Sequence, residues 1–225
     1  GNKDSNSTSV SKPAGSYAYA KLSQHFDFLG IAEHNHYSSN NNPGMVRTSY
    51  GLGLAQAAAA TTPSFLALYG MEYGVSSSGN GHVVIYGFNQ LIGWETTGVP
   101  GHVPNYDIYC PKTNYDSLWR IVKNNPNAFA TLAHPGYTDY NGLAGGGYNA
   151  MYDSAIVGVP FRNGNATVAA ADYTTYPASD FFVYYRILLN RGYHLGMSYD
   201  HDNHYLNFGR GNAGRLVIMA PSLTE

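Results

Sequence analysis

Apolar runs of strand length recur along the chain at Phe26–Ala32, Phe65–Tyr69, His82–Phe88, Phe129–Ala133, Ile156–Phe161 and Arg215–Ala220. Short runs rich in branched and aromatic residues, closed off by Gly, Pro or Asn, predict strands. Helical patterns lie between several of them. Tyr17–Gln24 predicts a short helix, and Val46–Ala60 is Ala-rich with no internal Pro. Tyr115–Lys123 places Leu118, Ile121 and Val122 on one face, with Asp116 near the positive N-terminal end. Ser179–Asn190 opens on a Ser cap, carries Phe182, Tyr185 and Leu189 along a stripe, and ends near Gly192. Gly1–Ser16 is polar without a hydrophobic period and predicts an exposed loop. Strands alternating with helices predict an α/β fold with a mainly parallel sheet, open or closed into a barrel. The longest irregular stretches are Gly98–Thr113 and Gly136–Asn149. Long loops of this kind are commonly functional.

Composition narrows the function. The 225 residues fit a single domain over 1–225. Charged residues are 12%, about half the usual share, and the net charge is -2. That balance argues against a nucleic-acid surface, which needs cationic groups to displace counterions. No apolar run approaches the roughly 20 residues that span a bilayer, and no signal-peptide pattern opens the sequence. With 26 Gly, 21 Tyr and many Asn and Ser, the surface stays wet through amides and phenols, a composition common outside the cell. A single cysteine, Cys110, excludes an internal disulfide or thiolate-rich zinc site and reads as a small core or edge residue. Nine histidines stand out against so few charges.

Most of the polar residues of interest follow an apolar strand directly. Glu33, His34, Asn35 and His36 follow the first strand, Glu72 the second, and His134 a later one, with Pro135 fixing the turn. Asp200, His201, Asp202 and His204 cluster near a late strand. His82 is the exception, because it starts a strand. In parallel α/β folds the C-terminal strand ends converge on one rim, where active sites sit. Imidazoles and carboxylates meeting there suit zinc, manganese or iron. Taken singly, each His also reads as a turn or capping residue, and Glu72 as an ion-pair partner. Recurrence in a charge-poor chain favours a shared metal site, since a buried unpaired carboxylate costs several kcal/mol. His25, His102 and His194 read as surface or structural. Trp94 and Trp119 read as core or rim, and Tyr184 and Tyr185 as packing. Asn6 and Asn165 match the glycosylation pattern, which matters only in a eukaryotic secretory setting.

These motifs resemble the PHP (polymerase and histidinol phosphatase) superfamily of metal-dependent phosphoesterases. DFLGIAEHNH is similar to its first Asp-His-Asn motif, GMEYG to its Gly-x-Glu motif, GHVVIYGF to its His-containing strand, LAHPG to its Ala-His-Pro motif, and the late DNH to its terminal Asp-x-His. Their order agrees across Phe26–Gly209. GYHLGMSYDHDNHYLNFG most resembles a subgroup of exported bacterial proteins. The resemblance implies a distorted (β/α)7 barrel with two or three divalent transition metal ions (Zn, Mn or Fe) at its rim. It implies His34, Glu72, His82, His134, Asp202 and His204 as ligands, with Glu72 bridging two metals and His204 sharing one with His34. Asp200, His201 and His36 would back the ligands or face the substrate. It also suggests an extracellular or periplasmic bacterial location.

One departure is serious. The family opens with His-x-His and Ser-Asp-Gly on a first strand, and neither is present here. Either GNKDSNS is a degraded version, with Asp4 and Asn6 at the histidine positions, or Gly1 is the glycine of that motif. The second reading is preferred, and it implies a barrel without its first strand. The ending APSLTE suggests that the last helix is missing too. The expected activity is hydrolysis of a small-molecule or polymer phosphate mono- or diester by a metal-activated water, with Asp202, His34 and Glu72 as catalytic residues. The alternative is a catalytically degenerate extracellular binding or structural module of this fold. A metal-dependent amidohydrolase is disfavoured, because no Lys ends a middle strand. Oligomeric state and substrate identity stay open at this level.

Overall fold

The computed structural model describes residues 12–35, 47–75, 80–94, 105–164, 179–206, 208–210 and 214–224. Helix α1 (Pro13–Ser23) leads into β1 (Phe28–His34), α2 (Arg47–Ala60) and β2 (Leu66–Tyr73). Then come β3 (His82–Tyr86), β4 (Ile92–Gly93), β5 (Ile108–Tyr109), α3 (Tyr115–Lys123) and β6 (Phe129–Ala133). Two short helices, α4 (Asp139–Gly142) and α5 (Ala150–Asp153), precede β7 (Ile156–Asn163), β8 (Ser179–Asp180), α6 (Phe182–Asn190) and β9 (Gly196–Asp200).

The main sheet runs β1-β2-β3-β6-β7-β8, with β9 also paired to β7. It curls like half a barrel. One face carries Ile31, Ala67, Tyr69, Met71, Val83, Ile85, Ala130 and Leu132, all buried, with α1 against β1, α2 against β2, α3 against β6 and α6 against β7. The other face alternates with it, as the two-residue period of a strand requires. Its residues from β1, β2, β3, β6 and β9 line one cavity of about 1110 Å³.

The sheet departs from the expected mainly parallel arrangement. β1·β2, β6·β7 and β7·β9 are parallel, but β3 is antiparallel to both of its neighbours, β2 and β6. The link from β2 to β3 is only eight residues, too short for the dozen or more that a parallel crossover needs. The strand expected at Arg215–Ala220 does not form: 214–220 carries no regular structure, and Val217, Ile218 and Met219 are exposed. Apolar character alone cannot make a strand without a neighbouring ladder to pair with.

Helix ends also shift. The expected N-terminal loop is helical from Pro13, because proline suits the first turn, and Ser16, Tyr17 and Ala20 are buried. Helix α6 starts at Phe182 rather than at a Ser179 cap. Ser179 and Asp180 instead pair with Asn163 and Arg162, and the Asp180 carboxylate accepts the Phe182 N–H. Helix α3 matches its expectation and is capped by the Asn114 side chain, which accepts from the Ser117 N–H. The Gly98–Thr113 stretch contributes β5 from its described part. Val46, His36, His102, Asn6, Asn165 and Asp4 lie outside the described residues.

Glycine fixes one contact inside the sheet. A Cβ on Gly70 would sit 2.0 Å from the Ile85 carbonyl oxygen and 2.7 Å from Tyr86 Cδ1. Backbone on the neighbouring strand cannot swing aside as a side chain can. Gly70→Ala is expected to lower the unfolding free energy by about 1–3 kcal/mol, read from urea melts. An unchanged midpoint would show that β2 and β3 are not held this close.

Candidate metal centre

The strand order explains the His82 exception. Because β3 runs against β2 and β6, its beginning lies at the same rim as their ends. His82 is paired in register with Ala133, one residue before His134, and His34 with Glu72. Four residues scattered through the sequence thereby meet at one edge.

Glu72 sits at the centre and is buried. Its Oε1 is 2.9 Å from His82 Nδ1 and 3.3 Å from His134 Nε2, while its Oε2 is 3.4 Å from His34 Nε2. His82 Nδ1 and His134 Nε2 are 3.1 Å apart. A carboxylate only accepts hydrogen bonds, and a neutral imidazole has one donor nitrogen. Neutral rings can both donate to this one oxygen, or both can turn a lone pair to a metal ion. Glu72, His82 and His134 bring one donor atom each to within 4.8 Å of one another, and this is the donor set a divalent transition metal fits.

The remaining expected ligands stand beside this group rather than in it. The His34 and His204 rings meet edge to face, 5.3 Å between centroids. His204 Nε2 is 3.5 Å from Asp202 Oδ1. His34, Asp202 and His204 line the same cavity as Glu72 and His134. Asp200 and His201 line it too.

Electrostatics follow from burial and proximity. Burial pushes the Glu72 carboxyl up, but hydrogen bonds from His134, His34 and His82 together outweigh it and hold the group well below the usual carboxylate range. Burial lowers His134, yet Glu72 and the charge of Asp202 raise it above the ordinary imidazole value. Asp200 is pushed up to about 7 by burial, with the charges of Asp202 and Glu72 adding to it. His201 is pulled down to about 4, mainly by burial.

Two of these residues hold unusual backbone conformations. His134 has φ 33° and Asp202 φ 48°. Side chains with a Cβ seldom enter this region, and doing so costs of order 1–3 kcal/mol. For His134 the next residue, Pro135, restricts the backbone further. Surrounding contacts must hold both residues in place. Tyr140 is one such contact, its hydroxyl 2.9 Å from the carbonyls of both His82 and Ala133. Asn163 is another: it is buried, and its Nδ2 donates to Asp202 Oδ2 at 3.2 Å. Asn35 is a third. Its N–H extends the ladder to the Glu72 carbonyl, and its buried amide donates to the Ile92 carbonyl at 2.6 Å. Sequence reading missed the roles of Tyr140 and Asn163. A buried polar residue at the end of β7 was the available signal for Asn163, and nothing in the sequence marks Tyr140.

The other singled-out residues take ordinary places. Cys110, Trp119 and Tyr184 are buried in the core, and Trp94 and Tyr185 pack against it. His25 is exposed, and His194 pairs on the surface with Asp153 at 2.8 Å. Comparison with protein-family models and with curated proteins finds no match.

Proposed function

We propose that the chain is a metal-dependent hydrolase of phosphate mono- or diesters. The observation that carries this reading is the Glu72 carboxylate, one oxygen facing His82 and His134 and the other facing His34. A carboxylate with its two oxygens turned to separate histidine sets suits a bridge between two metal sites. Glu72, His82 and His134 would hold one ion, and Glu72 with His34, Asp202 and His204 would hold a second. Divalent zinc, manganese or iron bound there supplies Lewis acidity toward a phosphoryl oxygen and makes a water acidic near neutral pH. The protein's own part is positional. Glu72 keeps its charge despite burial, so it holds the histidines with their donor nitrogens turned inward. Asp202, fixed by Asn163, accepts the proton from the attacking water. The cavity lined by these residues has room for the ester.

β1 and β9 both line the cavity from opposite ends of the curled sheet. We read this curled sheet as part of a distorted PHP-type barrel. Among the described residues, no helix is long and apolar enough to cross a membrane. The low charge and Tyr-, Asn- and Gly-rich composition support an extracellular or periplasmic location.

The test is elemental analysis of the purified protein together with hydrolysis of p-nitrophenyl phosphate and bis(p-nitrophenyl) phosphate, before and after chelation. At least one transition metal per chain and loss of turnover on chelation are expected. Full activity in metal-free protein would overturn the proposal.

A further inference from the structure

The concave face of the sheet changes character along its strands. On β1, Phe28, Gly30, Ala32 and His34 share one face, in register with Leu66, Leu68, Gly70 and Glu72 on β2. β3 and β6 continue the row, with Val84 paired to Thr131 and Tyr86 to Phe129. The metal donors stand at one end, small residues follow, and apolar side chains take the other end. Leu66 and Glu72 are six residues apart, a span of about 20 Å along a strand.

This apolar end is open to an occupant. Phe28, Leu66, Leu68, Tyr86 and Phe129 line the same cavity as His34 and Glu72, and each is half-buried. The Tyr86 ring lies over two glycines: a Cβ on Gly30 would meet its hydroxyl oxygen at 2.6 Å, and one on Gly70 its Cδ1 at 2.7 Å. Val217 and Ile218, both exposed, line the cavity from the irregular segment after β9. At about 1110 Å³ the cavity is at the upper end of ligand-pocket sizes.

Its charges select against a polyanion. Asp27, Glu72, Asp200 and Asp202 line it, and among the described lining residues the one Lys or Arg is Arg215. That guanidinium is already committed. It donates to the carbonyls of Gly214, at 2.7 Å, and Gly209, and it lies over the Phe26 ring at 5.3 Å. Divalent ions at the rim would offset the charge of one phosphate. A second anionic group deeper in would meet carboxylates and apolar walls, and a polyhydroxylated alcohol would lose hydration there without return. A hydrocarbon gains by the same burial.

We propose that the cavity binds long-chain alkyl phosphates, the phosphate at the rim and the chain laid along Leu68, Tyr86 and Leu66. That such esters are also substrates rests on the phosphoesterase reading above.

The test is calorimetric titration of the metal-loaded protein with butyl, hexyl and octyl phosphate, alongside phosphate release from the same three esters. The Kd is expected to fall about tenfold with each two methylenes added. Leu68→Gln keeps the side-chain size but sets an amide on the floor, and it is expected to cut the octyl-to-butyl affinity ratio about tenfold. Ile218→Asp lies on the exposed segment and leaves the sheet untouched, so it serves where Leu68→Gln fails to fold; it is expected to cut the ratio severalfold. Equal affinity for the three esters overturns the proposal, as does a ratio unchanged in both variants. Chain-length-dependent binding without phosphate release upholds the proposal and removes the hydrolase reading alone. Turnover of p-nitrophenyl phosphate with equal affinity for butyl and octyl phosphate removes the proposal alone.

Discussion

Glu72→Ala is expected to strip metal from the protein, weakening its binding by about 100-fold or more, and to abolish phosphoester turnover. One side chain is asked to do three things at this rim. It would supply the negative charge that offsets bound cations, it holds His82 and His134 toward one of its oxygens, and it holds His34 toward the other. Alanine removes all three functions and leaves three imidazoles with no common acceptor. Glu72→Gln separates charge from shape. Its amide keeps the size of the carboxyl but presents one oxygen instead of two and no charge. Metal content should therefore fall in Gln as in Ala, while circular dichroism and urea melts of the Gln variant stay close to those of the parent. His134→Ala should lose metal as well, because it removes one of only three donors in the compact group. Both variants retaining the parent's metal content would show that this ligand set is wrong.

Asp200→Asn is expected to stabilise the chelated protein at pH 8 by a few kcal/mol on the linkage argument, and to give almost no gain near pH 4. In the folded chain this carboxyl keeps its proton up to about pH 7, whereas unfolded it gives the proton up near pH 3.8. The folded state therefore binds more protons between those values. Its stability is fully present below the unfolded value and is lost as pH rises toward about 7. Asparagine has no proton to lose, so the pH-dependent loss disappears. Burial is the main reason the charged form is disfavoured, and the negative charges of Asp202 and Glu72 add to it. Chemical denaturation at the two pH values reads the difference. An equal gain at both would mean that Asn acts through packing and not through the charge.

Much of the rim was legible in the sequence because its residues follow apolar strands. His34, Glu72 and His134 were visible that way, and strand periodicity located β1, β2, β3, β6 and β7 to within a few residues. His82 looked anomalous because sequence does not show which way a strand runs. Only the pairing of β3 with β2 and β6 turns a strand start into a rim position. Arg215–Ala220 failed for a related reason: an apolar run states a preference, but a strand also needs an available edge. Tyr140 was illegible because no local pattern records its contact with the His82 backbone, 58 residues away, and Asn163 offered only its polar character at the end of β7.

The reversed β3 also governs when the centre comes into existence. Glu72, His82 and His134 are positioned by ladders joining β2, β3 and β6, and His34 by the pairing of β1 with β2. His34 and His134 are 100 residues apart in the chain, so no local segment assembles the donors. Pairings of such long sequence separation form slowly. A metal ion bound here would find its full donor set only after the sheet has closed its registers, and would act as a lock on the finished fold rather than as a seed for it.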